Sequence, residues 1–448
     1  ATTRLMSDAT STTPTCPPVT TPDLTVFARL DVLGLRVTGQ QVWPDKAILF
    51  CSLTGPDAGC PNCGQPGVVH DHVVRRFTHL PVGRKATWLH VDVPRYRCAG
   101  CHRLWRHPLT TVARPRSKLT RAADWWALSE VVLDHTPISG VAAVLDVSWD
   151  TAHTAVTEVG TQVLIGHPGR LDGVEVVGVD EHAWRHTSKG DKYVTVIIDL
   201  TPIRDGTGPA RLLDLVEGRS KQVFKTWLEA RTEQFRARVQ IVAMDGFTGF
   251  KTAAADAVPD AVAVMDPFHV VALAGDKLNT TRQRVQRELT GERGRRDDPL
   301  YKARRTLRTG RTLLTERQKA RLDALFSNDD VAAVEVTWLV YQDIIDAYRT
   351  PDRRTGRQLL TRVIDRIKTA VPEALAELAQ LGRTLHARRD DILAWFDHPG
   401  SSNGPTEAIN GRLEHLRGIA LGFRNLTNYR LRSLLEAGGF RPLIHSLS

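Results

Sequence analysis

Two kinds of side chain in this 448-residue sequence could do chemistry: cysteines in close pairs, and carboxylates set against apolar runs. Cys60-Pro61-Asn62-Cys63 and Cys98-Ala99-Gly100-Cys101 each hold two thiolates at the spacing of a tight knuckle that reaches one tetrahedral ion. Four sulfur ligands leave no open coordination position, so an ion held by all four would be a structural zinc. Cys16 and Cys51 have no such companion, and Cys51 falls in an apolar run where a small core residue suits. The N-terminus has no apolar segment with a cleavage site, so zinc is expected in place of disulfides, and the cytoplasm is the expected compartment.

The carboxylates are more numerous and harder to choose among. Asp180 lies in Val174-Glu175-Val176-Val177-Gly178-Val179-Asp180-Glu181-His182-Ala183-Trp184, whose β-branched residues predict a strand covered on both faces. A carboxylate there costs several kcal/mol, on the order of a lost buried charge, unless something pairs with it. An arginine or a strand-end cap would serve, and so would a divalent cation shared with other acids. Asp245 closes the apolar run Val239 to Met244, and Asp266 closes Ala261 to Met265. Glu407 follows Ser401-Ser402-Asn403-Gly404-Pro405, a helix start with proline where its missing N–H costs nothing. Ile409, Leu413 and Leu416 share one face of that helix, and Glu407, Asn410, Glu414 and Arg417 the other. Three such carboxylates could hold two Mg²⁺ or Mn²⁺ ions roughly 3.5–4 Å apart, the arrangement that stabilises both oxygens of a phosphodiester displacement. Spacing alone leaves Asp199, Asp266 and Glu414 as competitors among 50 acidic residues.

The elements that position these groups point to a multidomain α+β chain. Residues 1–23 are rich in Thr, Ser and Pro and predict a disordered or extended arm. Residues 24–115 carry short strands and the cysteine pairs, a zinc-ribbon domain. Residues 116–168 are helical. A helix over Arg121 to Asp134 is followed by a short one over Ser139 to Leu145, a turn, and a third that Ser148 can cap. Short helix, tight turn, longer helix is the helix-turn-helix plan. Residues 169–268 predict three antiparallel strands, a helix over Ser220 to Arg236, and the strand ending in Asp245, the opening order of an RNase H-like core. Residues 269–398 are almost wholly helical, with a capping-box start at Thr315-Glu316-Arg317-Gln318, and form an insertion. Residues 399–448 return to the core with the Glu407 helix.

Charge supports a polyanionic partner. Net charge is +10, but Arg75 to Arg121 alone carries +11 and Arg282 to Arg321 +9, which leaves −10 for the remainder. Concentrated basic segments on an otherwise acidic chain suit a nucleic-acid surface. Arg75, Arg76, Arg84, Lys85, Arg95 and Arg97 surround the cysteine ribbon among Trp88, Tyr96 and Trp105, with Arg116 and Lys118 following. Trp149, His153 and Thr154 begin the third helix, where base edges would be read. Arg295, Arg296, Arg304 and Arg305 lie in the second segment. No apolar run is long enough to span a membrane.

In combination these motifs resemble the DDE transposases of the ISL three group of bacterial insertion sequences. The likeness rests on the two cysteine pairs, Gly178-Val179-Asp180-Glu181, Met244-Asp245, Asp266-Pro267-Phe268-His269-Val270, and Ser402-Asn403-Gly404-Pro405-Thr406-Glu407-Ala408-Ile409-Asn410. It continues through Arg417-Gly418-Ile419-Ala420-Leu421-Gly422-Phe423-Arg424-Asn425 and covers about residues 30 to 440. The resemblance implies catalytic acids at Asp180, Asp245 and Glu407 holding two Mg²⁺ or Mn²⁺ ions. It assigns no role to Asp266, and Ala408 stands where the family commonly has glycine. It further implies recognition of terminal inverted repeats in double-stranded DNA, cleavage at the element ends and strand transfer into target DNA, by a homodimer associated with the nucleoid. A non-cutting DNA-binding regulator and a structure-selective nuclease on the same fold are the alternatives.

Overall fold

The computed structural model describes residues 23–83, 85–185, 192–292, 296–369 and 371–447. Arg84, Arg295 and all of the N-terminal arm except Asp23 lie outside the described residues. The chain forms two compact units, one of the described residues up to Glu130 with Ile138–Val156, the other of Val131–Pro137 with Thr157 onward.

The first unit is built on a sheet of β1 (Leu35–Val42), β2 (Lys46–Leu53), β3 (Gly67–Val82), β4 (Lys85–Cys98) and β5 (Leu104–Arg106). Its order is β1-β2-β4-β3, with β5 on β4. Leu35, Leu49, Phe77, Leu89, Val91 and Val93 form its buried core. Helix α1 (Arg121–Leu133) is followed by α2 (Ile138–Leu145), which packs on β3 and β4, and α3 (Trp149–Val159). The Ser148 hydroxyl accepts from the Thr151 N–H at 3.2 Å, the expected cap of α3. The helix expected to continue to about Leu164 does so by widening into a π-helical turn over Gly160–Ile165.

The second unit holds β6 (Val176–Ala183), β7 (Tyr193–Asp199), β8 (Arg211–Glu217), β9 (Ile241–Met244) and β10 (Val262–Met265) in the order β10-β9-β6-β7-β8. The first three strands are antiparallel neighbours, and β9 and β10 run parallel to β6. The helix expected over Ser220 to Arg236 is two, α4 (Lys221–Glu229) and α5 (Glu233–Arg238). Thr232 breaks it: its backbone is extended and its hydroxyl accepts from the Phe235 N–H at 3.1 Å. Threonine's hydroxyl offers the backbone a local partner that competes with the helix.

Next come α6 (Thr248–Ala257) and α7 (Pro267–Thr290), then a helical segment including α8 (Ala332–Arg349), α9 (Arg353–Lys368), α10 (Ala376–Ala387) and α11 (Arg389–Asp397). That segment has its own core, with Leu278, Ile344, Leu360, Ile364, Leu385 and Ile392 buried together. The capping box at Thr315 forms as expected. The chain then returns to the sheet with α12 (Gly404–Ile419) and α13 (Leu426–Ala437).

Strand alternation decides which face each β6 residue serves. Val177 and Val179 pack with Phe224, Trp227 and Phe250 from α4 and α6. Val176 packs on the opposite face with Ile409 and Leu413 of α12. Gly178 and Asp180 share the parity of Val176 and therefore look toward α12. Among the described residues no helix is long and apolar enough to cross a membrane.

His79 of β3 gives the first unit a pH dependence. It is 1% exposed; its Nε2–H donates to the Ala28 carbonyl at 3.1 Å and its Nδ1 accepts from the Thr120 hydroxyl at 2.9 Å. Burial holds its pKa below the ordinary 6.5. The unfolded chain therefore takes up a proton that the folded unit refuses, and this contribution, fully present above 6.5, is lost as pH falls toward the depressed value. Chemical denaturation of the wild type should show a loss of up to roughly 1.4 kcal/mol per pH unit across that window. His79→Gln should flatten that slope.

Candidate functional site

The parallel pairing of β6, β9 and β10 lines up three strand ends. Val179 pairs with Met244, and Met244 with Met265, so Asp180, Asp245 and Asp266 follow in a row on adjacent strands. Neighbouring strands lie roughly 4.8 Å apart. What differs is where each carboxylate is turned.

Asp180 is half-buried on the α12 face. Its Oδ1 accepts from the Glu181 N–H at 2.8 Å and its Oδ2 from Asn410 Nδ2 at 3.1 Å. Burial pushes its pKa up to about 6, against the Glu181 N–H, and the charges of Asp245 and Glu407 push the same way while His269 opposes them. Asp245 is half-buried, its Oδ1 accepting from the Phe247 N–H at 2.8 Å in a turn that aims the side chain. Arg388 ties that turn down: it donates to the Gly246 carbonyl at 2.8 Å and pairs with the buried Asp391 at 2.6 Å. Glu407 is exposed in the first turn of α12.

The structure thus brings Asp180, Asp245 and Glu407 into one electrostatic neighbourhood and commits the competitors elsewhere. Asp199 is buried against Arg211 at 2.9 Å and the Thr201 N–H at 2.9 Å. Glu414 forms an ion pair with Arg417. Asp266 is 2% exposed and caps α7, accepting from the Phe268 N–H at 2.8 Å and from the Ser402 hydroxyl at 2.8 Å. The donor set around Asp180 fits a hard divalent cation. Its ligands are oxygens, the charges of two further acids act on it, and the Asn410 Oδ1 atom beside it is buried without a hydrogen-bond partner among the described residues. The sequence places Asn410 on the helix face that carries Glu407 and gives it no role; nothing local marks Arg388.

The cysteines form the second centre. The β3–β4 hairpin pairs Gly67 with Cys98, which brings the two knuckles together and accounts for the long gap between them. Cys60 and Cys101 sulfurs lie 3.6 Å apart, Cys63 and Cys98 3.4 Å, and Cys63 and Cys101 3.7 Å, with all four within 4.8 Å of one another. A tetrahedron with Zn–S bonds of about 2.3 Å has edges of roughly 3.8 Å, so the cage is the size of a zinc ion. A hydrogen bond from the Arg103 backbone pulls the Cys101 thiol down to about 6, while hydrogen bonds with neighbouring thiols push Cys63 up, so the four sulfurs share protons unevenly until an ion replaces them. Among the described residues this is the group of three or more ligands close enough to hold an ion, and the acidic trio stands wider.

The basic residues sort by exposure. Arg76, Arg97, Arg116 and Lys118 are exposed, and Arg75 lies over the Phe77 ring at 5.7 Å. Lys85 is half-buried, and Arg95 is held by Asp71 in a two-bond ion pair. Trp149 is 49% exposed and stacks on His153 at 4.6 Å, with Thr154 exposed beside them. A cavity of about 680 Å³ in this unit gathers Arg76, Trp88, His90, Lys118, Ser148 and Thr151. In the helical segment Arg296 and Arg305 are exposed, whereas Arg304 stacks on Tyr301 at 4.1 Å.

Comparison with known proteins places the chain among the transposases. A family model described as a transposase of the ISL3 type matches residues 177–433, and a model for the zinc finger of the transposases of IS204, IS1001, IS1096 and IS1165 matches residues 56–101. The chain belongs to the ISL3 family of DDE transposases. It is 24% identical to the transposase for insertion sequence element IS1557 of Mycobacterium tuberculosis over 412 residues, 86% of this chain and 87% of that protein. It is 28% identical to the transposase for IS1001 of Bordetella parapertussis over 406 residues, 87% of this chain and 92% of that protein. A chain of the Drosophila P element transposase strand transfer complex aligns at a TM-score of 0.38 and 12% identity, over 72% of this chain and 92% of that one.

The sulfur cage predicts one equivalent of zinc per chain by elemental analysis. Cys98→Ser should lose that zinc and lower the melting temperature of the first unit. A Cys98→Ser chain with full zinc content would contradict the assignment.

Proposed function

We propose that this transposase binds the terminal inverted repeats of its insertion sequence and cuts and joins DNA at Asp180, Asp245 and Glu407. The observation that carries the reading is the meeting of β6 and α12: Asn410, one turn from Glu407, donates to Asp180, while Asp245 presses on the same carboxylate from the neighbouring strand. The strand order and the return of α12 after a long helical insertion support an RNase H-like core. Asp180, Asp245 and Glu407 would hold two Mg²⁺ or Mn²⁺ ions. Such ions supply positive charge at the attacking and leaving oxygens of a phosphodiester. The chain's own part is placement. Asn410 and the Glu181 N–H fix the Asp180 carboxylate, and the Phe247 N–H with Arg388 fixes the Asp245 turn.

DNA reading falls to the N-terminal elements. The zinc ribbon would lay Arg75, Arg76, Arg97, Arg116 and Lys118 along phosphates. As a helix-turn-helix, α2 and α3 would present Trp149, His153 and Thr154 to a major groove. Arg296, Arg304 and Arg305 of the helical insertion would hold the same or flanking DNA. We place the working protein in the bacterial cytoplasm, on the nucleoid, as a homodimer, with domain limits at residues 24–115, 116–168, 169–268, 269–398 and 399–448.

Labelled transposon-end DNA incubated with Mg²⁺ or Mn²⁺ tests this. Asp180→Ala, Asp245→Ala and Glu407→Ala should each remove cleavage while end binding stays within about twofold of wild type, because the reading helices are untouched. Normal cutting by Asp245→Ala would overturn the assignment, and a wild-type chain that binds ends without cutting them would leave the regulator reading.

A further inference from the structure

Asp266 lies one strand beyond Asp245 and could pass for a fourth metal ligand. Its surroundings say otherwise. Both oxygens face donors: Oδ1 takes the Phe268 N–H at 2.8 Å, and Oδ2 takes the Ser402 hydroxyl at 2.8 Å and the Asn403 backbone N–H. Ser402 and Asn403 immediately precede α12. Asn403 carries the connection onward. Its Nδ2 donates to the Val179 carbonyl at 3.1 Å, next to Asp180, and its Oδ1 accepts from the Thr406 hydroxyl at 2.5 Å. The approach needs Gly178, where a Cβ would stand 2.8 Å from Asn403 Oδ1 and 2.7 Å from Ile198. Glu407 sits about one helical turn after Asn403 and one turn before Asn410, which bonds Asp180. Two keyed contacts on β6, on either side of Glu407, fix both the rotation and the rise of α12.

We infer that Asp266 is a positioning residue whose buried carboxylate, through Ser402 and Asn403, sets the Glu407 helix in register against the strand of Asp180. The inference rests on the proposed reading of the acidic trio for its consequence in catalysis, but not for its structural content. A buried charge satisfied by hydroxyl and N–H donors is a strong, directional anchor. Misplacing a reacting group by about 1 Å costs up to roughly a hundredfold in rate. The sequence motif beginning at Asp266 and the one ending at Asn410 are, on this account, the two halves of one lock.

The test uses the full chain. Asp266→Asn keeps size but offers an amide to donors that need an acceptor; Gly178→Ala crowds both Asn403 and Ile198 without altering any ionisable group; Ser402→Ala removes one bond and is the mildest. Expected are cleavage slowed roughly ten- to a hundredfold by the first two and less by the third, end-DNA affinity unchanged, and faster amide hydrogen exchange over residues 403–412 with β6 and β9 protected as in wild type. The Asp266→Asn, Gly178→Ala double variant should be no slower than its slower parent. Wild-type exchange over 403–412 in Asp266→Asn would overturn the lock. Loss of Mn²⁺ binding in Asp266→Asn with unchanged exchange would make Asp266 a ligand instead. If Asp180→Asn cuts normally, the reading of the trio fails, whereas the exchange result still decides the lock.

Discussion

A carboxylate half-buried in a strand and repelled by the charges of two other acids is an unfavourable arrangement by itself. Burial is the largest cause that raises the Asp180 pKa to about 6, and the charges of Asp245 and Glu407 push the same way. Like charges in a poorly solvated corner repel, and relief comes from a proton or from a cation. Most of the second unit makes sense as the machinery that imposes this repulsion. Strands β9 and β6 must be parallel neighbours for Asp245 to reach Asp180, and α12 must return to the same face of the sheet after more than a hundred intervening residues.

Holding three acids together takes more than the sheet. Two of them are fixed by a group brought from elsewhere in the chain. Asn410 donates to Asp180, and Arg388, from the junction of α10 and α11, grips the turn after Asp245. Asp266, a fourth acid in the same row, faces the N–H and hydroxyl donors at the start of α12. The row of strand ends thus separates by environment: the outer carboxylate is fully hydrogen-bonded and buried, the inner two are left with capacity to share. The cysteine cage in the first unit is organised differently, by one long hairpin that brings two knuckles to a common point. Its four soft ligands would close around one ion, and the acidic trio is set farther apart than the sulfurs.

Much of this was legible in the sequence because it depends on local pattern. Cysteine spacing, the β-branched run around Asp180, the proline start of the Glu407 helix and the Thr315 capping box all carry their meaning within a few residues. The rest depends on tertiary neighbours. Asp245 and Asp266 each end an apolar strand and look alike by local pattern; the family resemblance separates them, and the packing of residues 402–403 supplies the physical reason. Arg388 is one arginine among many until its distance to Gly246 is known. Arg95 resembles the other ribbon cations, yet it is paired with Asp71 across the hairpin. Thr232 splits a helix whose apolar periodicity runs on past it.

On the proposed reading, divalent cations relieve the repulsion among Asp180, Asp245 and Glu407. Mn²⁺ titration of the zinc-loaded full chain bound to its end DNA, followed by electron paramagnetic resonance, addresses it most directly. Tight Mn²⁺ binding with the spectral signature of two close ions, lost in Asp180→Asn, is the expected result. Binding of equal strength and stoichiometry in Asp180→Asn, or no binding in the wild type, would contradict that reading.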